Sequence, residues 1–273
     1  MRDYPRPFWT TAKSSSRGLH KPIALPVTEA TELSHYDEPD FPADYAYCRL
    51  KLSERSVSLY ERAEPGDYIM DISGLVQWSG NDEEKAINLG AFSCKLIDGD
   101  SAINDRMSLH DVFDHEKSTF DIYEDLYDFD TGDLREDVTR MVFGPYSYAF
   151  NSNLLVLDRL VIYPEHRGNG LGLLVLRGLM AEFSSFASLV VMKPYPLQFE
   201  GKTGPSYEPL EGLPREHWGL NSYKGRLTKS RAQLRRHYAK LGFILVPKTE
   251  YMVRDAQIPL PSVDELLKGI AGN

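Results

Sequence analysis

Residues 154–172, LLVLDRLVIYPEHRGNGLG, decide how this chain folds. The first ten are almost unbroken apolar sequence, interrupted by Asp158 and Arg159. A run of that kind is what a strand buried on both faces needs. Pro164 follows it, and Gly168, Gly170 and Gly172 come within five residues. From there LGLLVLRGLMAEF places Leu171, Leu174, Val175, Gly178, Leu179 and Phe183 on one helical face, with Phe186 continuing it. The order is therefore strand, bare turn, helix. Glycines let a ligand approach the main chain. The first amides of a helix point outward with the positive end of its dipole. Together they form a nest for a pyrophosphate.

Two phosphate motifs do not fit this stretch. The dinucleotide fingerprint needs a third glycine where Leu173 stands, and four residues, PEHR, separate the strand from Gly168. The P-loop needs a closing Gly-Lys-Ser/Thr, which is absent. What remains is R-x-x-G-x-G, carried by Arg167, Gly170 and Gly172.

Outward from this point the sequence predicts further strands at RLKLSERSVSLYER, DYIMDISGLVQW and INLGAFSCKLID before it, and at SLVVMKPYPL, FILVP and EYMVRD after it. Leu109, Val112, Phe113, Phe120, Tyr123 and Tyr127 predict a helix with Ser108 as N-cap. DLREDVTRMV predicts a second, short one. TKSRAQLRRHYAKL predicts a helix closed by Gly242, and SVDELLKGI a short one near the end. Residues 196–227 read as a long loop. Residues 1–45, rich in Pro, Ser and charge, read as a partly irregular extension, 46–255 as one α/β domain, and 256–273 as a tail.

The chain has 273 residues, enough to bury a real core. Its net charge of −9 argues against non-specific nucleic-acid binding. Charge is uneven: residues 96–140 hold fourteen acids against four bases, and residues 224–240 hold seven bases and no acid. Two cysteines, Cys48 and Cys94, make no disulfide framework and fit a reducing cytoplasm. No apolar run is long enough to cross a bilayer, and the first residues lack the apolar core of a secretory signal. His110 and His115 are poorly spaced to share a metal, and no metal site is expected.

LDRLVIYPEHRGNGLG resembles the acyl-CoA-binding motif of the GNAT acyltransferase superfamily. HYAKLGF, residues 237–243, resembles that family's second signature, and the two occur in the family's order with a strand between them. The resemblance covers about residues 150–250. It implies a mixed, mostly antiparallel twisted sheet with helices on both faces, splayed at the CoA strand. In the usual order of that family the first strand leads directly into two helices. Here two or three strands come first.

The resemblance also implies a chemistry: acetyl-CoA as acyl donor, and direct attack on it by a primary amine of a small molecule or peptide. Gly168, Asn169, Gly170, Leu171 and Gly172 would supply amides to the pyrophosphate, with Arg167 beside them. The backbone of Leu160, Val161 and Ile162 would pair with the pantetheine arm, one amide polarising the thioester carbonyl. Tyr238 matches the general acid, although its i, i+4, i+7 spacing with Leu234 and Leu241 equally suits a core residue. The strand after the motif has no carboxylate, which leaves Asp158 or a water as base; an ion pair with Arg159 is the alternative use of Asp158. Arg231 stands where relatives often have Asn. Lys224, Arg226, Lys229, Arg231, Arg235 and Arg236 offer cations to a CoA phosphate or simply form a solvated face, and Glu165 reads as a solvated turn residue. His217 and Trp218 are candidates to line an acceptor pocket. The rival readings are a non-catalytic acyl-CoA-binding module and an acyltransferase acting on a protein or tRNA-linked amine. A homodimer stays open.

Overall fold

The computed structural model describes residues 48–52, 64–79, 86–145, 147–199, 218–220 and 225–268. The expected N-terminal extension lies outside them, as do His217, Lys224 and most of the long loop. One sheet has seven strands: β1 (Cys48–Leu52), β2 (Ile69–Trp78), β3 (Ile87–Ile97), β4 (Leu154–Ile162), β5 (Leu189–Met192), β6 (Ile244–Leu245) and β7 (Met252–Asp255). Their spatial order is β1-β2-β3-β4-β5-β7-β6. Every neighbouring pair is antiparallel except β4–β5. A parallel pair needs a crossover, and α5 (Leu171–Phe183) supplies it. The other helices are α1 (Gly99–Asn104), α2 (Leu109–Asp114), α3 (Lys117–Leu126), α4 (Glu136–Phe143), α6 (Leu227–Ala239) and α7 (Val263–Leu267). The chain thus adopts the expected mixed, mostly antiparallel α/β sheet with helices on both faces.

Alternation along β4 and β5 explains their continuous apolar sequence. Leu155, Leu157, Val190 and Met192 enter the core beneath α5. Leu154, Val156, Leu189 and Val191 enter a second core beneath α1–α4. Each buried Leu or Val of this kind contributes about 1.5–3 kcal/mol. The second core also holds Tyr123 and Tyr127, whose stacked rings lie 5.0 Å apart.

Two expected features differ in detail. The helix foreseen from Ser108 to Tyr127 is broken at His115–Glu116 into α2 and α3. Thr119 Oγ1 donates to the carbonyls of Phe113 (2.6 Å) and Glu116 (2.9 Å), and such side-chain bonds compete with a continuous helical ladder. Ser108 occupies the N-cap position without a side-chain cap bond. On α5, Leu173, Leu176 and Met180 are buried beside the predicted face, because the helix packs on the sheet and against α7 as well.

The C-terminal tail is knitted onto the domain. Buried Arg254 donates to the carbonyls of Leu241, Asp255, Ile258 and Pro259. Arg177 Nε donates to Pro261 O at 2.8 Å. Ser262 and Glu265 form a capping box that starts α7.

Candidate functional site

The sheet comes apart where the sequence reading centred. Pairing between β4 and β5 ends at Leu157↔Met192. On the other edge of β4, Ser93 pairs with Arg159 and Cys94 with Leu157, so Asp158 is the extra residue of a bulge. A bulge re-aims a side chain and ends regular pairing, and such kinks concentrate beside active sites. Beyond it, no described strand pairs with Asp158–Ile162 on the β5 side.

That divergence opens a cavity of about 790 Å³, walled by β4, α5, α6 and the end of β5. Asp158 and Tyr238, eighty residues apart, both line it. So do Leu160, Val161, Ile162, Arg167 and Gly168. Asp158 is the one carboxylate among the described lining residues, against Arg159, Arg167, Lys193 and Lys229. This excess of cations suits a polyanionic ligand.

The glycine turn has the geometry its sequence demands. Gly168 and Gly170 have φ of 89° and 83°, in the left-handed region closed to most side chains. Gly170 is the N-cap of α5 and its carbonyl accepts from Leu173 (2.9 Å) and Leu174 (3.2 Å). The amides before these, Leu171 and Gly172, belong to the first turn and have no intrahelical acceptor. A Cβ on Gly172 would stand 3.7 Å from Leu160 Cδ2, so the helix start lies close against β4. Gly168 and Asn169 are exposed, whereas Gly170 and the Leu171 side chain are buried. Asn169, Gly170, Leu171 and Gly172 do not line the cavity itself.

One expectation about the backbone is corrected, and the Arg167 guanidinium has partners within the protein. Tyr163 N–H donates to Leu89 O at 2.9 Å. By the alternation of an antiparallel ladder, Val161 bonds to β3, and Leu160 and Ile162 turn their backbone groups to the open edge. Val161 therefore offers no main-chain groups to a ligand. Arg167 Nε donates to Ile162 O at 2.6 Å, and its Nη2 donates to Trp218 O. Its side chain braces the turn while also lining the cavity.

Trp218 is likewise not a pocket residue. It is 1% exposed and packs with Ala91 and Val161. The Arg159 guanidinium lies 5.7 Å from its ring centroid. Its neighbour Leu220 does reach the cavity.

Asp158 does not pair with Arg159. Its carboxylate accepts from Ser93 Oγ at 2.9 Å, and its side chain is exposed to the cavity. Tyr238 lines the cavity while also packing on the core. Burial pushes its phenol up to about 12. His237 beside it is held below the usual imidazole range by burial and then by Lys240, and is neutral at pH 7.

Of the basic helix, Lys229 lines the cavity. Arg231 instead pairs with Glu250, and its guanidinium lies 4.9 Å over Tyr195. Glu250 also holds Lys193 at 2.8 Å. Burial pushes the Glu250 carboxyl up, but Lys193 and Arg231 outweigh it and hold it below the ordinary range. These contacts strap α6 to the end of β5. Glu165 is mostly exposed, in keeping with a turn residue. Sequence reasoning missed Ser93, Lys193, Tyr195 and Glu250, which belong to no short motif.

A second, smaller pocket lies on the opposite face, against α3. It shares Leu157, Asp158 and Lys193 with the large cavity. Among the described residues no group of His, Cys, Asp or Glu is gathered to hold a metal, and no helix is long and apolar enough to cross a membrane.

Comparison with known proteins returns no match: no protein-family profile, curated protein or solved structure is significantly similar to the chain.

Proposed function

We propose that this protein is an acetyl-CoA-dependent N-acetyltransferase acting on a primary amine, of the GNAT kind. One observation carries the reading. The open edge of β4, the carboxylate at its bulge and the Tyr238 phenol meet in one cavity, beside a helix start whose first amides have no intrahelical acceptor. The diphosphate sits at the amides of residues 168–172. The pantetheine arm lies along the open edge and bonds to Leu160 and to the Ile162 amide. Lys229 and Arg159 offset its charge.

The reaction is a direct transfer. An ammonium loses its proton to Asp158, or to a water held by it. The free amine forms a C–N bond to the thioester carbon, giving a tetrahedral oxyanion that a β4 amide stabilises. Collapse breaks the C–S bond, its electron pair goes to sulfur, and the second proton of the attacking nitrogen passes to solvent, leaving the neutral amide. Tyr238 donates a hydrogen bond to that sulfur and then its proton, which solvent restores. A phenol near 12 stays protonated and ready throughout the neutral range.

The test is release of free thiol from acetyl-CoA in the presence of a panel of primary amines, with the N-acetyl product identified by mass. Thiol release that depends on the amine, with matching product, supports the reading. Acetyl-CoA bound tightly but never consumed would instead leave a binding module.

A further inference from the structure

The two pockets meet at one point. Leu157↔Met192 is the last pair of β4 and β5. The next residue on each strand, Asp158 and Lys193, borders both the large cavity and the small pocket against α3. The Asp158 carboxylate can therefore be approached from either face of the sheet.

The small pocket holds about 40 Å³, room for roughly three waters when one takes about 10–15 Å³. Its walls are firm. Ile122, Val156, Leu157 and Tyr251 are each 7% exposed or less and belong to the close-packed cores. Thr119 is fixed by its two carbonyl bonds. Such walls do not widen cheaply.

Its charges are almost all matched. Lys95 pairs with Asp71 and Glu116. Asp121 pairs with Lys117 at 2.9 Å, and Lys193 with Glu250. Asp158 has only the Ser93 hydroxyl. Lys193 shares Glu250 with Arg231, so Asp158 is the one charged lining residue of this pocket without an ion-pair partner among the described residues.

We infer that this pocket is an ammonium port that selects an unbranched primary alkylamine, such as the end of a lysine side chain or of a linear polyamine. A methylene next to nitrogen fits beside Ile122 and Val156. A carbon bearing a second substituent does not, so α-amino acids and amines on ring carbons are rejected. The inference rests on the acyl-transfer reading for its purpose, and on the pocket alone for its selectivity.

The test compares n-butylammonium with sec-butylammonium, which have the same formula and charge. Each is titrated into full-length protein with labelled isoleucine and valine methyl groups, with and without coenzyme A. The n-isomer is expected to shift the Ile122 and Val156 signals saturably. The sec-isomer is expected to bind at least tenfold more weakly, and Asp158→Asn to abolish the response to both. Equal responses to the two isomers, a response that survives Asp158→Asn, or no response to either overturns the port. Adding acetyl-CoA and seeking N-butylacetamide separates the two claims. Binding without product removes the reaction and keeps the port. Product from some other amine, with no n-butylammonium response, does the reverse.

Discussion

Asp158 is the one carboxylate in β4. A carboxylate in an apolar strand is anomalous, and the bulge is the physical reason it is tolerated: the extra residue leaves the ladder and its side chain faces a cavity. Tyr238 should behave as a reagent and not a brace. Tyr238→Phe is expected to lower kcat by about 10²-fold or more while leaving the KM for acetyl-CoA within about threefold; steady-state kinetics check this, and an unchanged kcat would return Tyr238 to the core. Cys94 offers a separate check on the fold. It is fully buried, and burial, then Asp158 and Asp71, push its thiol from 9.0 to about 12. The unfolded chain releases that proton first, so the unfolded state holds fewer protons between these values and stability falls as pH rises. Urea midpoints should decline from about pH 9 in the natural protein, and only from about pH 10, where tyrosines take over, in Cys94→Ala. Ser93, by contrast, was illegible. It lies 65 positions from Asp158 in sequence, and only the β3–β4 register brings them together.

At the scale of elements, local signals were legible and distant ones were not. Strand, turn and helix at 154–183 are set by apolar run, Pro and Gly, all read within a few residues. Gly242 was legible for the same reason, and its φ of 86° is that of a helix-ending glycine. The break between α2 and α3 depends on Thr119 reaching back to Phe113, which periodicity alone does not reveal. Helix α6 shows what composition leaves open. It has no fully buried residue, since one side covers the cavity, and Arg231 acts as a strap through Glu250. Arg254 does comparable work at the tail. Removing its guanidinium leaves the buried Leu241 carbonyl and three part-buried ones without that donor, at about 1–3 kcal/mol for the buried one and less for each of the others. Arg254→Met is therefore expected to lose about 3 kcal/mol or more in urea unfolding, and Arg254→Lys to recover only part; a loss below about 1 kcal/mol would mean that the tail is held by packing alone.

For the whole molecule, the sheet order brings three distant segments to one opening: the β4 bulge, the end of β5 and the last turn of α6. The acidic segment lies between β3 and β4, so its helices cover the face opposite α5 and α6. That division sets a cation-lined cavity on one side of the sheet and a narrow port on the other, with Asp158 between them. In the proposed function the turn before α5 holds the diphosphate of an acyl-CoA. Gly168 and Gly170 are poor places to test it, because their backbone angles strain any side chain. Gly172 is better: its Cβ would meet only ordinary contacts, and an acid in the first helical turn favours the helix. The measurement is calorimetric titration of acetyl-CoA into the natural protein and Gly172→Glu, with thermal unfolding of both. The account predicts saturable binding in the first, affinity at least tenfold lower in the second, and an unfolding temperature in Gly172→Glu no lower than that of the natural protein. Equal affinity in two equally stable proteins, or no binding by the natural one, would contradict it.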